Sequence, residues 1–175
     1  MNLKKLITTA FEAGIIMFSV NALGAGVQAG FFPALSMNQN GTTADTFEAN
    51  ITGTFRLLRL PVVMGSGIVA GVEDSQFSLG VSTFADWWAI DYQIENNWNL
   101  YSGFGISALL CFSSEKITLT TGPRFFVGMN WLFTDHFLEL YIQQNAVPSM
   151  CLNFAADSRQ FKLFLPFESG VRFHF

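Results

Sequence analysis

Few side chains in this sequence could carry covalent or acid–base chemistry. The histidines are His136 and His174, and the cysteines are Cys111 and Cys151. A hydrolase needs a nucleophile, a histidine base and an orienting acid within hydrogen-bond reach. No GxSxG, HExxH or phosphate-loop pattern is present to supply one. The cysteines have neither CxxC spacing nor a histidine cluster nearby, so a metal site is not supported. A net charge of −4 leaves no basic footprint for nucleic acid. The expectation is a non-enzymatic protein without metal or cofactor.

What remains is electrostatic. Glu48, Arg56, Arg124, Glu139, Glu168 and Arg172 each sit in a segment where apolar and polar residues alternate, on the polar side of that alternation. Three acids and three bases on inward faces must be paired or hydrated, because an isolated buried ion costs several kcal/mol. The expected pairing sets Glu139 and Glu168 against Arg172, Arg124 or Arg56. Two readings of such a network stay open: ion pairs that fill and fix a narrow interior, or a gate in a solute path.

The elements that position these charges are strands. Half of the 175 residues are hydrophobic, only 13% are charged and Phe alone contributes 20 residues. Yet no apolar run reaches the roughly 20 residues of a transmembrane helix. Bulky apolar residues dispersed in short alternating segments are what a membrane barrel needs, since only its outer face meets lipid. Period-two alternation marks eight strands over residues 23–32, 46–56, 62–70, 77–94, 98–112, 117–133, 137–152 and 163–175, with a bulge anticipated near Asp86-Trp87-Trp88. The fold class is therefore all-β, an eight-stranded antiparallel up-and-down transmembrane β-barrel.

Connections after strands two, four and six read as tight, and the others as longer, with residues 33–44 and 153–161 the longest. Short periplasmic turns and longer outer loops are the habit of such barrels, so both termini are expected in the periplasm. Trp87, Trp88, Tyr92, Trp98 and Trp131 gather at that end, as an interfacial girdle would. Inward glycines (Gly24, Gly26, Gly30, Gly65, Gly67, Gly103, Gly105) imply a tight lumen or small water pockets. Cys111 and Cys151 fall near the outer ends of their strands. An oxidising compartment would permit a bridge, but strand six separates them and disulfide geometry is demanding, so the bridge is the less favoured reading.

Residues 1–22 have the layout of a signal peptide: Lys4 and Lys5, an apolar stretch from 6 to 20, then Ser19-Val20-Asn21-Ala22 with cleavage after Ala22. Cleavage after Ala29 is the alternative, and no cysteine follows to accept a lipid anchor. The barrel domain is then residues 23–175.

The closing sequence Gly170-Val171-Arg172-Phe173-His174-Phe175, with the strand count, resembles that of small OmpA/OmpX-type outer-membrane barrels. GPRFFVGMNW at 122–131 and FLELYI at 137–142 are similar to a group of OmpA-like barrels from spirochaetes. The resemblance spans residues 23–175. It implies a bacterial outer-membrane location and contact with the lipid bilayer. Phe173 and Phe175 become the assembly signal that the barrel-assembly machinery reads. Members of such families are structural proteins, adhesins or binders of host factors through outer loops, and sometimes narrow pores; a wall-tethering role is not implied. The first expectation is accordingly a surface-interaction barrel, and the alternative a narrow OmpW-like pore. A secreted lipocalin-type barrel would need its apolar face inward, which the charged second face disfavours.

Overall fold

The computed structural model describes residues 22–38, 41–57, 60–73, 76–95, 97–113, 117–133, 137–154 and 158–175. Of the proposed signal peptide, only Ala22 falls among them. The strands are β1 (Ala22–Asn38), β2 (Gly41–Leu57), β3 (Val62–Glu73), β4 (Gln76–Glu95), β5 (Trp98–Ser113), β6 (Ile117–Phe133), β7 (Leu138–Asn153), β8 (Ser158–Phe164) and β9 (Phe167–His174). All pairings are antiparallel, and apart from those of β1 with β8 and β9 and of β7 with β9 they join sequence neighbours. β8 and β9 form a single stave, because both pair with β7 on one side and β1 on the other. β1 also pairs with β2, which closes a ring of eight staves and leaves no open sheet.

Register fixes the shape of the ring. Following paired residues from Trp98 through Trp131, Leu140, Val171, Val27, Gly53, Ser66 and Thr83 returns to β5 at Ala108, ten residues above the start. That stagger tilts the strands against the barrel axis and sets a narrow interior. Alternation then sorts side chains: Val27, Ile51, Ile68, Val81, Phe104, Phe125 and Ile142 point outward, and polar residues point in. The burial is inverted relative to a soluble protein, as lipid requires.

Prolines interrupt the wall at one side. Pro166 separates β8 from β9, and the carbonyls exposed there find partners. Gln144 Nε2 lies 3.3 Å from Leu165 O and 3.1 Å from Pro166 O, and Asn145 N donates to Pro166 O at 2.8 Å. Next door, the β6–β7 ladder is missing between Thr121↔Met150 and Phe125↔Ala146. Pro123 and Pro148 lie in that gap, and neither has an N–H to give.

Two expectations are corrected here. Residues 33–44 and 153–161 are not long outer loops. β1 runs to Asn38 and pairs across to Gly41, while β8 starts at Ser158. Pairing with β2 and β8 overrides the local turn-like composition, and connections at both ends of the barrel are short, so loop length does not orient it. The second correction is Trp88. A bulge at Ala89, between the pairs Trp88↔Gly103 and Ile90↔Ser102, reverses the phase of β4. Trp87 above it and Ile90 and Tyr92 below it face outward, whereas Trp88 faces the lumen at 5% exposure.

Candidate functional site, the charged lumen

The inward faces of β2, β4, β6, β7 and β9 bring charged residues together at two levels. Near the terminal rim, where β1 begins and β9 ends, Glu139 on β7 is the centre. It accepts from Arg172 Nη1 at 2.8 Å and Asn130 Nδ2 at 2.7 Å, and lies 2.7 Å from His174 Nε2 and 3.9 Å from Arg56 Nη1. Arg56 reaches on to Asp91 at 3.5 Å. Four residues earlier on β9, Glu168 anchors the upper level. Arg124 holds it with both terminal nitrogens, donates Nε to Asp86 Oδ2 at 3.0 Å, and Asn145 Nδ2 adds a contact to Glu168 at 3.1 Å. Glu48 belongs to neither level. It is buried further out, 4.0 Å from Cys111 Sγ.

An aromatic layer fills the space around these ions. Trp88 and Tyr101 stack at 4.0 Å and 3°, and with Phe84, Phe126, Tyr141 and Val63 they form one buried cluster. Each arginine covers a ring: Arg56 over Trp88 at 4.1 Å, Arg124 over Phe84 at 4.4 Å, Arg172 over Tyr141 at 4.5 Å. Every one of the five rings is paired across the sheet with a glycine: Phe84 with Gly65, Trp88 and Phe126 with Gly103, Tyr101 with Gly128, Tyr141 with Gly170. A Cβ at Gly128 would strike the Tyr101 ring and come within 2.7 Å of Ile142 O. These inward glycines therefore make room for large side chains, and the lumen is tight.

Glu139 and Tyr101 are 0% exposed, which a water-wide pore would not allow. Above the upper level lies a cavity of about 40 Å³, bordered by Asn50, Ser82, Arg124, Ser149, Phe164 and Glu168. Cys111 and Cys151 are not joined to each other, and Thr120 Oγ1 lies 3.3 Å from Cys151 Sγ. Among the described residues, no three His, Cys, Asp or Glu side chains gather as a metal centre would need. His136 lies outside the described residues.

Four outward aromatics sit at the terminal rim: Trp87, Tyr92, Trp98 and Trp131, with Trp98 stacked on Trp131 at 4.6 Å. Phe173 and Phe175 also face outward there, and both pack against Phe137 at 5.8 Å. Sequence reasoning missed Asp86, Tyr101, Tyr141, Lys162 and the pairing of His174. The glycine-opposite-aromatic pattern was the signal that could have located the tyrosines once strand register was known.

No protein-family model and no curated protein sequence matches the chain. Solved structures do. Neisserial surface protein A (NspA) superposes with a TM-score of 0.55 at 14% identity, covering 86% of this chain and 97% of that one. Ail, the attachment invasion locus protein of Yersinia pestis, covers 88% of this chain and 99% of its own with a TM-score of 0.47 at 10% identity. At 14% identity the likeness to NspA speaks for the fold alone, and there it agrees with the closed ring of antiparallel strands. The chain has the fold of the small eight-stranded transmembrane β-barrels of the OmpA/OmpX type.

Proposed function

We propose that this protein is a non-conducting, non-catalytic barrel of the bacterial outer membrane whose role is structural or surface-interacting. In this reading both termini face the periplasm, Phe173 and Phe175 serve the barrel-assembly machinery, and the opposite rim meets an extracellular ligand. The observation that carries it is the lumen: two levels of ion pairs with stacked rings around them, and side chains at 0–2% exposure across the bore. Such an interior contributes rigidity and offers no route for solute. The aromatic terminal rim marks a membrane–water boundary, because Trp and Tyr favour the headgroup region. The exposed rings Phe77, Phe112, Phe154 and Phe161 near the opposite hairpins are the surface that rim presents.

Conductance tests the central point. The full chain refolded into planar bilayers is expected to stay electrically silent. Steady single-channel steps from the unmodified protein would replace this reading with the narrow-pore one.

A further inference from the structure

Four of the chain's five prolines stand in one band of the wall, on four adjacent staves. Between Thr121↔Met150 and Phe125↔Ala146 the register is unbroken and sets Pro123 opposite Pro148, so neither strand has an N–H to donate there. Between Val147↔Phe164 and Gln144↔Phe167, Pro166 faces Asn145. Between Ala34↔Phe164 and Phe31↔Phe167, Pro33 faces Leu165. Asn145 N still donates to Pro166 O and Leu165 N to Pro33 O, but each proline opposite returns nothing. Three successive seams are weakened together, although proline is kept out of sheet interiors and lost ladder bonds are costly in hydrocarbon. The β6–β7 seam is shut by contact instead: a Cβ at Gly122 would come within 2.2 Å of Pro148 O.

This weakened band separates two apolar spaces. On the lipid side, Pro33, Phe104, Phe125, Ala146, Leu165 and Phe167 line a groove. On the lumen side lies the 40 Å³ cavity, and Phe32, Val69, Phe84, Val147, Phe164 and Pro166 make most of its lining apolar. Val147 and Phe164 form a buried cluster with Ala34 just inside the prolines. Arg124 and Glu168 border the cavity with their polar atoms engaged by each other, Asp86 and Asn145. Val147 lies seven residues beyond Leu140, the partner of Trp131 in the aromatic rim. At about 2.6 Å of height per residue in a tilted strand, that is roughly 18 Å from the rim in an apolar band about 25 Å tall. The prolines therefore sit in the leaflet away from the aromatic rim.

We propose that the proline band is a lateral portal, through which a lipid of that leaflet seats the methyl end of one acyl chain in the cavity. The rest of the chain lies in the outer groove. Hydrocarbon is what the groove faces in a membrane, and the cavity offers a chain end an apolar lining in place of a void. A cavity of about 150 Å³ takes benzene, so this one admits roughly the last two carbons. The bore stays closed, because both ionic levels lie between the cavity and the terminal rim.

The test is photolabelling of the full chain refolded in vesicles that contain a phosphatidylcholine with a diazirine beside the terminal methyl of one chain. Peptide mass spectrometry maps the adducts, and heat-modifiable migration on a gel confirms that each variant is folded. Adducts are expected on Phe32, Val147 or Phe164 as well as on the lipid-facing Phe104, Phe125 and Phe167. A diazirine beside the ester of the same chain should mark lipid-facing residues only. Val147→Trp fills the cavity and should remove the inward adducts while keeping the outer ones. Pro123→Val with Pro148→Val restores two seam donors. A seated chain holds that seam apart, so the ratio of inward to outward adducts should fall about tenfold or more. Adducts confined to lipid-facing residues in the unmodified protein would overturn the proposal. So would an unchanged ratio in the double proline variant, because the chain would then enter by an end of the barrel.

Discussion

Glu139→Gln isolates the energetic role of the lower charged level. Glu139 is 0% exposed, and it is the anion that Arg172, at 2% exposure, contacts at 2.8 Å. The substitution keeps the shape but leaves one acceptor oxygen where Asn130 and Arg172 each had their own, and it strands a buried guanidinium. Breaking a buried pair by removing one partner costs about 3–5 kcal/mol. The lower end applies here, because the new amide oxygen still accepts a hydrogen bond and the Tyr141 ring still lies under Arg172. With a urea dependence of about 2 kcal/mol per M, about 3 kcal/mol lowers the midpoint by roughly 1.5 M. The assay is tryptophan fluorescence of the barrel in vesicles, with Trp88 reporting from inside the lumen. Adding Arg172→Met to Glu139→Gln removes the stranded charge and should restore about half of the lost stability. Conductance should stay silent in both variants, since the aromatic layer persists. A midpoint shift under about 0.5 M, or a double variant no better than the single one, would refute the view that charge balance stabilises the lumen.

Three further outcomes follow from the geometry. Gln144→Leu makes a lipid-facing position more apolar, yet it should destabilise by about 1–3 kcal/mol, because the Leu165 carbonyl loses its side-chain donor in hydrocarbon, while Pro166 O keeps Asn145 N and Nδ2; equilibrium unfolding in vesicles reads the sign. Gly128→Ala should cost about 1–3 kcal/mol by driving a methyl into Tyr101, and adding Tyr101→Leu should relieve part of that cost in the same measurement. With Cys111 and Cys151 replaced by serine, Phe154→Cys should react with a membrane-impermeant maleimide on intact cells, and Asn97→Cys only after permeabilisation; the opposite pattern reverses the proposed orientation.

Architecture was legible because lipid outside and a polar lumen inside impose strict alternation. The segments around Phe125, Val127 and Trp131 or Leu138, Leu140 and Ile142 admit no other reading. Legibility failed where alternation did. In Asp86-Trp87-Trp88-Ala89-Ile90-Asp91-Tyr92 both faces carry mixtures, and the bulge at Ala89 cannot be located without the partner register of Gly103 and Ser102. That one uncertainty hid Asp86 from the network and put Trp88 in the girdle. Pro33 and the Asn-rich stretch after it read as loop, yet Ala34, Leu35 and Ser36 pair with Phe164, Leu163 and Lys162. The same misreading concealed Lys162, which is buried inside the barrel. Side-chain partners across the bore were beyond the sequence for a different reason. Which inward residues meet depends on the ten-residue stagger, a property of all the pairings together.

The charged lumen also explains how the last stave finds its place. Buried ion pairs are seldom better than apolar packing for stability alone, so their presence at the closing seam calls for another reason. β9 carries Glu168 and Arg172 on one face and Phe167, Val171 and Phe173 on the other. A slip of one residue against β1 or β7 would exchange the two faces completely. Arg172 would then meet lipid at a cost of about 2–4 kcal/mol near the midplane and less towards the interface, with Glu168 adding its own smaller term. Three apolar side chains would crowd a lumen already filled by Tyr101 and Tyr141, and Glu139 would lose Arg172. An apolar lumen would set no such penalty, because both faces of β9 would then tolerate lipid. The ion pairs therefore specify the closing register, and the terminal phenylalanines face outward only because Glu168 and Arg172 cannot.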